Sequence, residues 1–186
     1  MSALIKPDRT QVLVIDMQEK LLPAMTEAEA ALANCARIVQ AAARLSLPIT
    51  VSQQYPKGIG ATVEDLRRHL PNDCVTLDKL TFSCMRDDAL RLRIEHLAAD
   101  GRDQVVICGI EAHVCVLQTA IEIAETGLQC FVVADATASR APASKAFALS
   151  RMQAAGAIAA TTEMAIFEWL GAAGTADFKA LMPLVK

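Results

Sequence analysis

The stretch QVVICGIEAHVCVLQTAIEIAETG, residues 104–127, decides the fold. It opens with an apolar run of strand length, QVVICG, and continues into a helix-like stretch from 113 that stops at Gly127. An apolar run without polar alternation belongs in a parallel sheet covered on both faces. The same unit recurs outward in both directions. Strands are expected at 11–16 (QVLVID), 48–52 (PITVS), 74–78 (CVTLD), 104–109, 129–134 (QCFVVA) and 157–161 (AIAAT). Helices are expected at about 27–45, 61–69, 86–99, 113–126 and 142–155, then at 163–170 and in a short C-terminal tail. Acidic residues Asp87 and Asp88 favour the first turn of the helix at 86–99; Pro142 and Gly156 bracket the one at 142–155. Six β-α repeats predict one domain over 1–186, a three-layer α/β/α sandwich on a six-stranded parallel sheet with Rossmann-like topology.

Composition narrows the function. The chain has 186 residues, 34 of them alanine; 53% are hydrophobic and only 4% aromatic, enough for a core but not for a base-stacking platform. Eighteen basic against 21 acidic side chains leave a net charge of -3 and no basic stripe, so no nucleic-acid partner is expected. No stretch reaches the roughly 18 apolar residues of a membrane span, so no membrane partner is expected either. The start, MSALIKPDRTQ, lacks the apolar centre of an export signal. Six cysteines without CxxC spacing then read as free thiols in a reducing cytoplasm, and the three histidines form no metal-binding pair.

In parallel α/β folds ligands bind beyond the carboxyl ends of the strands. Three reactive side chains converge there: Asp16 ends the first strand, Lys79 follows the third, and Cys115 lies six residues past Gly109, near a helix start. Taken singly, each has an ordinary reading as a cap, a solvated cation or a small buried hydrophobe. Together they suit a nucleophilic hydrolase acting on a carbonyl centre. A thiol with a reference pKa of about 8.5 is expected to be acidified by a helix N-terminus and an ammonium, with a carboxylate to take its proton. The turn after the first strand, DMQEK, has no glycine, which argues against dinucleotide binding.

The segments VLVIDMQ (12–18), QYPKG (54–58), LDKLTFS (77–83), GIEAHVCV (109–116), VVADATASR (132–140) and FALSRMQAAGA (147–157) resemble the isochorismatase-like cysteine hydrolases over nearly the whole chain. The combination is most similar to the small isochorismatase domain-containing subgroup. The resemblance implies an Asp16–Lys79–Cys115 triad, a cis peptide between Ile110 and Glu111, and an oxyanion hole from the N–H groups of Glu111 and Cys115. It implies cleavage of a small amide or ester through a Cys115 thioester, and a homo-oligomer. Two departures limit the substrate. Nicotinamidases of the family carry a DWH-type metal triplet after the second strand, where this chain has Gln54 and Pro56; neither a metal nor another cofactor is expected. The vinyl-ether hydrolases that name the family lack the cysteine, which disfavours isochorismate itself.

Gln18, Gln53, Tyr55, Phe82 and His113 fall in segments that could line the substrate pocket. Asp135, Ser139 and Arg140 are read as organising a loop, with Arg140 alternatively reaching a substrate acid or an interface. Cys84 is a weaker rival nucleophile. Two other readings stay open: a binding or scaffold protein that has lost useful catalysis, and a thiol sensor in which Cys84 resolves an oxidised Cys115.

Overall fold

A computed structural model, which describes residues 4–185, arranges the apolar runs as six strands. These are β1 Thr10–Ile15, β2 Ile49–Gln54, β3 Val75–Lys79, β4 Gln104–Ile110, β5 Gln129–Ala138 and β6 Ile158–Ala160. Met1–Ala3 and Lys186, which the expected 1–186 domain includes, lie outside the described residues. The helices are α1 Ala28–Arg44, α2 Pro56–Ile59, α3 Glu64–Arg67, α4 Asp88–Ala99, α5 Leu117–Glu125, α6 Pro142–Ala154, α7 Thr162–Leu170 and α8 Ala176–Val185.

All neighbouring strands run parallel, in the order β3-β2-β1-β4-β5-β6. The winding therefore reverses between β1 and β4. Side chains of one strand alternate between two apolar clusters, as the two-residue period requires. Val12, Val14, Val106, Phe131 and Val133 face the cluster that includes α1 and α7; Leu13, Ile15, Val105, Ile107 and Val132 face the one that includes α4, α5 and α6. Both faces being covered, the buried polar residues of β1 and β4, Thr10, Gln11 and Gln104, stand only at the strand starts.

Local chemistry sets the helix ends. Asp87 accepts from the N–H groups of Ala89 and Leu90 at 3.1 and 3.2 Å and caps α4. Thr161 caps α7 by accepting from Met164 N–H.

Three expectations are corrected. The helix at 61–69 shrinks to the single turn α3, because the segment has one buried apolar anchor, Leu66, and Pro71 follows. The stretch 113–126 is not one α-helix: a π-helical turn, Ala112–Val116, precedes α5. Finally, β5 runs on to Ala138, so Asp135 lies inside a strand and not in a loop after it. The extension exists because the β4–β5 register shifts after Ile107, pairing Gly109 with Thr137 and Ile110 with Ala138. The Asp135 carboxylate there accepts from Thr162 N–H and Oγ1 at the start of α7.

One glycine is indispensable at the reversal of winding. Gly109 has φ +117, and a Cβ at that position would lie 2.0 Å from the carbonyl oxygen of Ile15. Gly109→Ala is expected to cost about 3–5 kcal/mol, because the clash is with backbone that cannot swing away. Urea denaturation of the two proteins checks this; a loss below about 1 kcal/mol would contradict the close approach.

Candidate active site

The site grows from the ends of three strands. Asp16, one residue past β1, adopts φ 52 and donates its N–H to Ser52 O at 3.2 Å. Lys79 is the last residue of β3, paired in register with Gln54 of β2. Because β2 lies between β3 and β1, the lysine reaches past it. Its Nζ donates to Asp16 Oδ2 at 2.7 Å and to Gln54 Oε1 at 2.7 Å. Ser52 Oγ donates to Asp16 Oδ1 at 2.7 Å. The side chains of Asp16 and Lys79 have no solvent exposure. A buried pair is tolerable only when such additional hydrogen bonds complete it.

Cys115 arrives from the other half of the sheet. After β4, the Ile110–Glu111 peptide bond is cis, and the π-helical turn carries Cys115 one residue before its end. The wide turn is tied back by Val114 and Val116, whose N–H groups donate to Glu111 O at 3.0 and 3.2 Å. The Cys115 side chain, 5% exposed, lies within electrostatic reach of both Asp16 and Lys79. Burial pushes its pKa well up, the Asp16 charge pushes it further, and Lys79 opposes without prevailing. The expected acidification is therefore reversed: burial and the neighbouring carboxylate favour the thiol. Burial, the largest single influence, pulls Lys79 down, but Asp16 together with the Cys115 and Cys84 sulfurs outweighs it, and the amine is held above its ordinary range.

Ser52 and Gln54 are the members that sequence reasoning missed. Their signal was present: a strand that opens ITV and closes SQQ turns polar where it meets the reactive edge. Gln54 also donates from Nε2 to Leu80 O at 2.9 Å, so its amide is occupied at both ends. With Gln54 so committed and proline at 56, the residues here do not fit a metal triplet. Among the described residues no three His, Cys, Asp or Glu side chains gather to hold an ion.

The expected pocket residues divide. Tyr55, half-exposed at φ 38, lines a groove of about 390 Å³ with Pro56, Lys79, Leu80 and Thr81. His113 lines a different groove of about 360 Å³, its Nδ1 3.0 Å from Ser139 Oγ. Phe82 is exposed. Gln18 is fully buried; its amide bonds the backbone of Gln54 and Gly60 and pins the loop. Gln53 bonds Asp78 and Thr62. Neither groove is bordered by Asp16 or Cys115. Arg140 pairs with Glu111 Oε2 at 2.9 Å, beside the cis peptide.

Residues 10–164 match the model of the Isochorismatase domain family. The chain belongs to the isochorismatase family. It is 33% identical over 179 residues to isochorismatase domain-containing protein 2 of Xenopus laevis, covering 96% of this chain and 84% of that one. It is 32% identical over 184 residues to the secreted isochorismatase effector Isc1 of Phytophthora sojae, covering 97% and 86%. The solved structure of MAR1 ribonuclease from Caenorhabditis elegans superposes with a TM-score of 0.91 at 36% identity, covering 98% of this chain and 92% of that chain. The all-parallel six-stranded sheet is thus the isochorismatase fold, and a general hydrolase role goes with the family.

The electrostatics of the thiol can be tested separately from any reaction. Asp16→Asn removes the charge that raises Cys115 and leaves Lys79 as its neighbour. Iodoacetamide should then label Cys115 at neutral pH faster than in the unaltered protein, as read by peptide mass spectrometry. Equal labelling rates would mean that Asp16 does not control the thiol.

Proposed function

We propose that this isochorismatase-family chain is a metal-independent cysteine hydrolase of small amides or esters, with Cys115 as nucleophile, Asp16 as base and Lys79 as the fixed counter-charge. The single observation that carries this reading is the fully buried Asp16 carboxylate, held by Lys79 and Ser52, with the Cys115 thiol within its electrostatic reach. A protonated thiol beside a buried carboxylate is poised to lose its proton only as it attacks.

In this mechanism Asp16 takes the proton as the sulfur bonds to the substrate carbonyl carbon. The N–H groups of Glu111 and Cys115 receive the oxyanion. Collapse expels the amine or alcohol, which carries away the proton from Asp16. Water then gives a proton to Asp16 and attacks the thioester; the carboxylic acid leaves and the thiol is restored. Lys79 holds the Asp16 carboxyl in place throughout.

The name of the Caenorhabditis elegans relative makes RNA the substrate to compare. The site has one buried ammonium, paired with Asp16. Attack on a phosphodiester would need cations free for its phosphate, which favours a neutral carbonyl compound. The compartment belongs to the same proposal: all six cysteines are unpaired, which supports a reducing cytoplasm, although the Phytophthora sojae relative is named as secreted. The binding or scaffold reading is favoured by the closure of the trio. An inert Cys115 does not separate the two readings, because burial and Asp16 favour the protonated thiol in both.

Turnover decides between them. A panel of small amides should release ammonia with the unaltered chain, and Cys115→Ala should abolish it. Asp16→Asn should lower the rate by about 10²–10⁴ while speeding alkylation. Retained turnover in Cys115→Ala would falsify the assigned nucleophile; hydrolysis of RNA with none of any amide would replace the substrate class. A homo-oligomer is also proposed, supported by Phe147, 74% exposed among the alanines of α6. Light scattering on a size-exclusion column should give a mass that is a multiple of 19.9 kDa, and Phe147→Asp should lower it. A monomer at micromolar concentration would remove this part.

A further inference from the structure

Cys115 is not the only thiol at the site. Cys84 opens a short 3-10 turn, Cys84–Arg86, after β3, and is wholly buried. Its N–H donates to Thr119 Oγ1 at 2.9 Å, and Thr119 lies on α5 one helical turn beyond Cys115. Ser52 Oγ bonds Asp16, and the Cys84 and Cys115 thiols both lie within electrostatic reach of that carboxylate. Both sulfurs sit within electrostatic reach of the Lys79 ammonium and in the same apolar cluster as Ile15 and Leu117. Nothing in the hydrolytic cycle uses this second thiol.

We propose that Cys84 is a resolving thiol: a hydroperoxide oxidises Cys115 to a sulfenic acid, and Cys84 condenses with it to an internal disulfide that spares Cys115 from further oxidation. In the first step Asp16 takes the Cys115 proton, the sulfur attacks one peroxide oxygen and the O–O bond breaks. The departing oxygen collects the proton as alcohol or water. In the second step the Cys84 sulfur bonds to the Cys115 sulfur, the S–O bond breaks, and hydroxide leaves with the Cys84 proton as water. Two thiols and one hydroperoxide become a disulfide, an alcohol and water, and a dithiol reverses the change by exchange.

The other thiols mark what is special about this pair. Cys35 donates its thiol to Ala136 O at 3.1 Å with Cys108 nearby, but both cysteines are fully buried and no ammonium accompanies them. Between Cys84 and Cys115, only Cys115 has an opening to solvent. Oxidation therefore starts at Cys115, and Cys84 is shielded from any partner except its neighbour. This inference uses the same Asp16–Cys115 contact as the proposed hydrolysis, but its readout is mass. A disulfide without amide turnover would count against the hydrolase reading alone.

The whole chain is treated with hydrogen peroxide, trapped by alkylation, digested without reductant and read by mass spectrometry. The unaltered protein should give a Cys84–Cys115 peptide pair with a loss of about 2 Da, removed by dithiothreitol. Cys84→Ser should give no pair and should carry Cys115 to the sulfinic acid, a gain of about 32 Da that dithiothreitol does not reverse. Three results would overturn the proposal: an unoxidised Cys115, a Cys35–Cys108 link formed in preference, or sulfinic acid appearing equally fast in both proteins. If Cys84→Ser fails to fold, the peptide pair in the unaltered chain decides, and its absence overturns the proposal.

Discussion

The site depends on keeping one carboxylate and one ammonium together out of water. Each ion, buried alone, costs several kcal/mol after the protein relaxes around it, and their attraction repays that only with near-complete hydrogen bonding. Asp16 and Lys79 have it: the carboxylate accepts from Lys79 and Ser52, and the ammonium donates to Asp16 and Gln54. Loss of either ion strands the other. The register of β1, β2 and β3 follows from this demand, since a slip of one residue would turn Ser52, Gln54 and Lys79 to the wrong faces.

The thiol comes from across the point where the winding reverses. β1 and β4 lie side by side, and the absence of a side chain at Gly109 lets their ends approach closely enough for the two halves to share one edge. The π-helical turn after the cis peptide then carries Cys115 into electrostatic reach of Asp16. The site is a property of the junction: β1 to β3 supply the ion pair, and the β4–α5 connection supplies the sulfur.

Competition between burial and nearby charge sets the chemistry available there. A helix start and a lysine favour a thiolate, but burial and an adjacent carboxylate favour the thiol, and the second pair prevails at Cys115. A resting thiol suits a site that ionises its sulfur only when a partner arrives. The same restraint applies to Cys84, which burial holds at about 11 although Lys79 pulls it down.

Much of the fold was legible from residues 104–127 and their repeats, because unbroken apolar runs separated by helix-like stretches admit few architectures. The strand order and the extension of β5 were not legible; both depend on which strands pair and where the register shifts. Asp16, Lys79 and Cys115 stood out because reactive side chains at strand ends have few structural duties. Ser52 and Gln54 did not, since a polar strand terminus reads as surface until its neighbours are known. Sequence by itself determined the parallel α/β class and the three side chains at one edge, because period and strand-end position are local properties. Tertiary structure alone decided that Lys79 is buried against Asp16, that Cys115 favours the protonated thiol, and that Cys84 shares its buried cluster. Burial and distance exist only after the chain has packed.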